Sequence, residues 1–295
     1  MSKRRIPDSE RKTRSAAVSP AGERVRFLGL ALSGGKADKA SLAVVDYYPK
    51  HRKVFLSKLV DQIRNEPDFS ADTRICELVE QFSEDAVSLS LDVPWRLPTS
   101  LRHANSRVGI ETSKEPHVLW MWEHYRKINK KKKPKRIFTP YTERCVEMYV
   151  ASELEEPFIL NQALGANNAP LLARAAHLER RLKIPLIEVA PKISLWRIGR
   201  SLNIMKSHLR FHRHAVGGDE ARKAILENLA QNNVVFLYAQ DQKAMVENNH
   251  AFEAFITALT GFLKYKKLTE PRPTGFPEDE DWIEFPVPEI RWKEI

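Results

Sequence analysis

Three acidic side chains stand where an α/β protein can put them to chemical use. Asp92 closes the apolar run AVSLSL and precedes Val93-Pro94, a pair that ends strands. Glu188 interrupts the short apolar segment PLIEV, where a buried Glu is rare without a partner. Glu253 lies in an apolar stretch, residues 251–266, with helical spacing. Carboxylates are hard oxygen ligands. Two or three that converge hold one or two Mg²⁺ or Mn²⁺ ions, which orient water and stabilise charge building on a phosphodiester. Against this, Asp92 also reads as a turn residue and Glu253 as a solvated helix residue.

Other motifs carry less. Ser33-Gly34-Gly35-Lys36 lacks the full phosphate-loop pattern and precedes a strand where that motif needs a helix, so a hairpin turn is the reading. His208 and His212 are spaced to share a helix face, but no Cys, Asp or Glu nearby supplies a third zinc ligand. With Arg210 and Arg213 they read as a basic helix face, suited to phosphate contact. Trp120, Trp122 and Tyr125 have the rings to stack on bases, though aromatics at helical spacing usually belong to a core. Cys76 and Cys145 are too few for a disulfide scaffold or a four-cysteine zinc site, and read as reduced thiols in a cytoplasmic protein.

The 295 residues, 42% hydrophobic and 29% charged, suffice for one large globular domain or two small ones. No apolar run reaches the roughly 20 residues of a membrane span, and the first residues have no signal-peptide core. The net charge of +10 is unevenly placed. Residues 1–24 carry a surplus of +4, and residues 126–136 (RKINKKKKPKR) hold eight cations and no acid, leaving the body near −2. Two basic segments on a near-neutral body suit a polyanion. Lys130, Lys131, Lys132, Lys133, Lys135 and Arg136 are therefore the expected nucleic-acid contacts. The segment 1–24 is polar without apolar period and reads as a disordered basic tail.

The elements that must position these groups follow from apolar period. Residues 25–32, 40–45, 53–59 and 86–91 read as strands, with an amphipathic helix over 72–82 near possible caps at Ser70 and Asp72. Helices are expected near 118–128, 142–154 and 169–182, a strand at 185–189, then helices near 193–202, 220–231 and 251–266. Residues 281–286 suit a last short strand. The expectation is a single α/β domain over 25–295, a mixed sheet flanked by helices, with a helical insertion at about 99–182 that includes the basic loop. Three strands, a helix, a strand and a helix is the order of the ribonuclease-H-like fold.

The segments FLGLALSGGKADKASLAVVDYYP, SLSLDVPWRLP, FTPYTERCVEMYV, LIEVAPKISLW, NNHAFEAFITALTGFL and GFPEDEDWIEFP resemble a domain-of-unknown-function family of predicted ribonuclease-H-like nucleases from bacteria and archaea. The resemblance covers residues 27–286 and implies that fold and a metal-dependent nuclease using Mg²⁺ or Mn²⁺. Position by position it assigns Asp92, Glu188 and Glu253 as catalytic metal ligands, Glu253 replacing an Asp. It places Ala31 where the first strand should carry an Asp, and a methyl group binds no metal; Asp38, beyond the turn, is poorly placed to substitute. The expectation is thus a nuclease-related protein that contacts nucleic acid, its cleavage compromised at Ala31. An active nuclease using the three acids, and a non-enzymatic module that meets an acidic protein partner, are the alternatives.

Overall fold

The structure, a computed structural model, describes residues 24–33, 39–102, 109, 113–128, 138–156, 158, 160, 163–165 and 168–295. The basic run Lys130–Lys133 with Lys135 and Arg136, the segment 1–23, and Asp38 lie outside the described residues.

Strands β1 (Val25–Leu32), β2 (Ala40–Tyr48) and β3 (Lys53–Ile63) form an antiparallel meander. On the other side of β1, strands β4 (Ala86–Leu91), β5 (Leu186–Val189) and β6 (Ile283–Glu284) run parallel to it, giving the order β3-β2-β1-β4-β5-β6. This is the expected mixed sheet flanked by helices, and its order is compatible with a ribonuclease-H-like arrangement. β1 and β2 are apolar along nearly their whole length because helices cover both faces of the sheet there. β3 continues to Ile63, past its expected end at Leu59. Its polar residues Lys58, Asp61 and Gln62 are tolerated because an edge strand keeps one side wet.

Helix α1 (Ala71–Phe82) covers one face. It starts at Ser70, whose hydroxyl accepts a hydrogen bond from the Thr73 amide at 3.1 Å and satisfies one otherwise orphaned donor. Its Ile75, Leu78 and Val79 pack on Leu28, Leu30, Leu42 and Leu91. Between β4 and β5 come α2 (Thr99–Arg102), α3 (Pro116–Ile128), α4 (Cys145–Ser152) and α5 (Asn168–Glu179). The α4 start falls at Cys145 rather than Thr142, because Arg144 is extended and the preceding residues form a turn closed by the Thr139 carbonyl.

After β5 follow α6 (Pro191–Ser201), α7 (Lys206–Phe211), α8 (Gly218–Gln231), α9 (Ala239–Glu247) and α10 (Asn249–Tyr265). Every residue of α10 from Ala251 to Leu263 is buried. It lies against the second face of the sheet so closely that a Cβ at Gly29 would come 2.2 Å from the Ala254 carbonyl oxygen. Only glycine allows that backbone approach. Among the described residues no helix is long and apolar enough to cross a membrane.

Candidate functional site

Asp92 follows the last residue of β4, on the sheet face covered by α10. Two positions earlier, Ser90 packs against Gly261 of that helix, and side chains alternate along a strand. The Asp92 amide donates to the Leu30 carbonyl at 3.2 Å, and its Oδ1 accepts from the Leu32 amide at 2.9 Å. The carboxyl thus clamps the end of β1, bracketing Ala31, which is fully buried. Glu253, in the second turn of α10, is brought to the same region and is close enough for its charge to act on Asp92. Its Oε1 accepts from Arg213 Nε and lies 3.6 Å from His212 Nε2. His212 holds this orientation by donating Nδ1–H to the Leu209 carbonyl at 2.9 Å.

The two carboxyls titrate apart. Burial pushes Asp92 up to about 8 against the pull of the Leu32 amide, and the negative charge of Glu253 adds to the rise. Burial would also raise Glu253, but the contacts with His212 and Arg213 outweigh it and hold that carboxyl below its usual range. At neutral pH the arrangement is one carboxylic acid beside one carboxylate, the latter balanced by a guanidinium.

Glu188 does not join them. It pairs in register with Leu91, so its side chain leaves the opposite face of the sheet. There both oxygens are taken by Arg144, with Nη1 and Nη2 each 2.7 Å away. The Arg144 Nε reaches Glu147 Oε1 at 3.0 Å, and Glu147 also accepts from the amides of Arg144 and Ala163. All three side chains are buried. Burial pushes Glu147 up to about 7 against the pull of this guanidinium, and the neighbouring Glu188 charge adds to the rise. Cys145 belongs to the same buried region. Its amide donates to Glu280 Oε2 at 2.9 Å, and burial together with the Glu280 charge drives its thiol far above the usual range, so it stays protonated and inert.

The donors present do not fit a divalent metal. Ala31 offers a methyl group, Glu188 is saturated by Arg144, and Glu253 is shared with Arg213. Among the described residues no group of three or more His, Cys, Asp or Glu side chains is arranged to hold an ion. The histidines expected on a helix face divide instead: α7 ends at Phe211, and His212 turns inward at its C-terminus. Arg210 pairs with Glu156 at 2.7 Å, and Arg213 with Glu253, so this basic face is spent on internal ion pairs. Trp122, Tyr125 and Phe138 pack edge-on to one another, and Trp120 stacks on His124, which makes these rings mainly packing groups.

Sequence reasoning missed Arg144 and Glu147 as partners of Glu188. The one available signal was the unexplained Glu in an apolar strand, which demanded a buried cation somewhere. No protein-family model matches the chain, and no curated protein matches it.

Proposed function

We propose that the chain is a ribonuclease-H-like protein that binds nucleic acid without cutting it. The observation that carries this reading is the replacement of metal-binding chemistry at the strand ends. Alanine stands beside Asp92, and side-chain cations, Arg213 and Arg144, neutralise Glu253 and Glu188. A centre for phosphodiester hydrolysis needs unshared oxygen ligands, and these acids are committed to the protein's own donors. Support for a nucleic-acid partner is the placement of charge, eight cations and no acid within residues 126–136 of an otherwise near-neutral chain.

Calorimetric titration with Mn²⁺ should give no saturable site in the unmodified protein. Ala31→Asp should create metal-dependent stabilisation, since it adds an oxygen next to Asp92, and should destabilise the metal-free protein by roughly 2–4 kcal/mol through buried like charge. Duplex binding should weaken with salt, log K falling by about 0.9 per phosphate engaged, and Lys130–Lys133 changed to Ser should make that slope shallower by several units. Metal-dependent cleavage by the unmodified chain that is abolished in Asp92→Ala would overturn the reading in favour of an active nuclease.

A further inference from the structure

We propose that the open half of the sheet, at the β2–β3 hairpin, is a stacking platform for single-stranded nucleic acid. Helix α1 covers only the far half of that face; its last residue, Phe82, lies under the Arg26 guanidinium, 5.6 Å from ring centroid to Cζ. Beyond this boundary a row of four rings runs across the edge of the sheet. Tyr48 meets Phe55 at 5.4 Å between centroids, Phe55 meets Phe236 at 5.5 Å, and Phe236 meets Tyr238 at 5.1 Å. Phe236 and Tyr238 are 51% and 53% exposed. Their segment is no loose loop: the Leu56 amide donates to the Phe236 carbonyl at 3.1 Å, and the Phe236 amide to the Val54 carbonyl at 2.8 Å, so the rings ride on a rigid extension of the sheet.

The charge around these rings decides the partner. Residues 47–60 contain Lys50, Arg52, Lys53 and Lys58 and no acid. The acids that face this area from neighbouring elements are engaged or offset. Asp46 is buried and bound by Arg26 at 2.8 Å and by Ser57, Asp85 is paired with Arg24, and Asp241 lies near Lys58. Protein interfaces are depleted of lysine at their cores, whereas rings interleaved with lysine and arginine match a partner that alternates bases and phosphates. A single strand exposes its base faces and a duplex hides them, so the platform selects the single strand and tolerates any sequence.

This proposal shares with the function above only its class of partner and uses no residue of 126–136. The test is fluorescence anisotropy of the full chain with a short labelled oligothymidine and with a mixed-sequence duplex, at several salt concentrations. Phe236→Ser and Tyr238→Ser should each weaken oligothymidine binding about tenfold and leave duplex binding within about twofold. Lys50→Ser combined with Lys53→Ser should make the single-strand salt slope shallower by about one unit. Should Phe236→Ser lower the melting temperature, Tyr238→Ser and the lysine pair still decide the question, because those side chains are exposed. Oligothymidine binding that none of these changes alters would overturn the platform and leave the proposed function standing. Absence of any nucleic-acid binding by the unmodified chain would overturn both. A concentration-dependent dimer in sedimentation, lost in Tyr238→Ser with oligothymidine binding unchanged, would reassign the face to contact between copies.

Discussion

The two faces of the sheet near the ends of β4 and β5 solve the same problem differently. On one face Glu188 and Glu147 share Arg144, fully buried, through bonds of 2.7 to 3.0 Å. On the other, Asp92 and Glu253 share the charge of Arg213, whose side chain is 52% exposed. In each place two acids have one guanidinium, and in each place one acid keeps a proton near neutral pH. The buried guanidinium is locked by geometry and cannot be replaced by water. The exposed one is a rim group that water can supplant. Two acids and one guanidinium therefore give a structural keystone on one face and, with His212 beside Glu253, a titrating, solvent-adjustable pair on the other.

Arg144→Leu should break the comparison most strongly. Removing the shared cation leaves two buried carboxyl groups without a counter-charge, a loss of roughly 3–5 kcal/mol in urea unfolding at pH 7. Those carboxyls then hold protons more tightly folded than unfolded, so the deficit should shrink as pH falls toward 5. An unchanged urea midpoint at pH 7 would show that the cation is dispensable.

Asp92→Asn should act in the opposite direction. With its carboxyl near 8 in the folded protein, Asp92 favours folding below its ordinary range, and that contribution is lost as pH rises through about 8. The amide retains an acceptor for Leu32 and carries no charge. Its stability relative to the unmodified chain should therefore climb by roughly 2–4 kcal/mol between pH 5 and pH 8.5. A constant difference across that range in parallel urea titrations would mean that Asp92 is ionised throughout.

Arg213→Ala should have the smallest effect, about 1 kcal/mol at pH 7, because an exposed partner is screened by water. Glu253 is held below its usual range, so it contributes stability above that range and loses it as pH falls. Removing Arg213 should raise the carboxyl and move its acid-side loss to higher pH, readable by NMR titration of the Glu253 side chain. A loss as large as that of Arg144→Leu would erase the distinction between the faces.

Much of the architecture was legible because it is written in short-range pattern. The apolar runs of β1, β2 and β4, the Ser70 start of α1 and the long apolar stretch of α10 need only local period and capping chemistry. Helix α9 was not legible, since a short segment of mixed polarity carries too little period, and α7 was legible only as a basic helix face around His208 and Arg210. The carboxylate positions were legible, and their partners were not. Glu188 and Arg144 are far apart in the chain, and the face Glu188 occupies depends on a parallel register with β4 that so short a strand cannot announce. The aromatic row is hidden for a similar reason. Tyr48 and Phe55 look like ordinary strand residues until Phe236 and Tyr238 arrive from the far end of the chain.

The close seating of α10 on Gly29 also sets the order of events during synthesis. β1 emerges long before the helix that covers its second face, which begins only at Asn249, more than two hundred residues later. At about 5–20 residues per second, the sheet face around Gly29, Ala31 and Ala43 waits roughly ten to thirty seconds from the completion of β4 to the release of α10. Through that interval an apolar surface shaped for a helix backbone faces solvent or a chaperone. A premature stop anywhere before α10 would yield not a smaller folded protein but a sticky one.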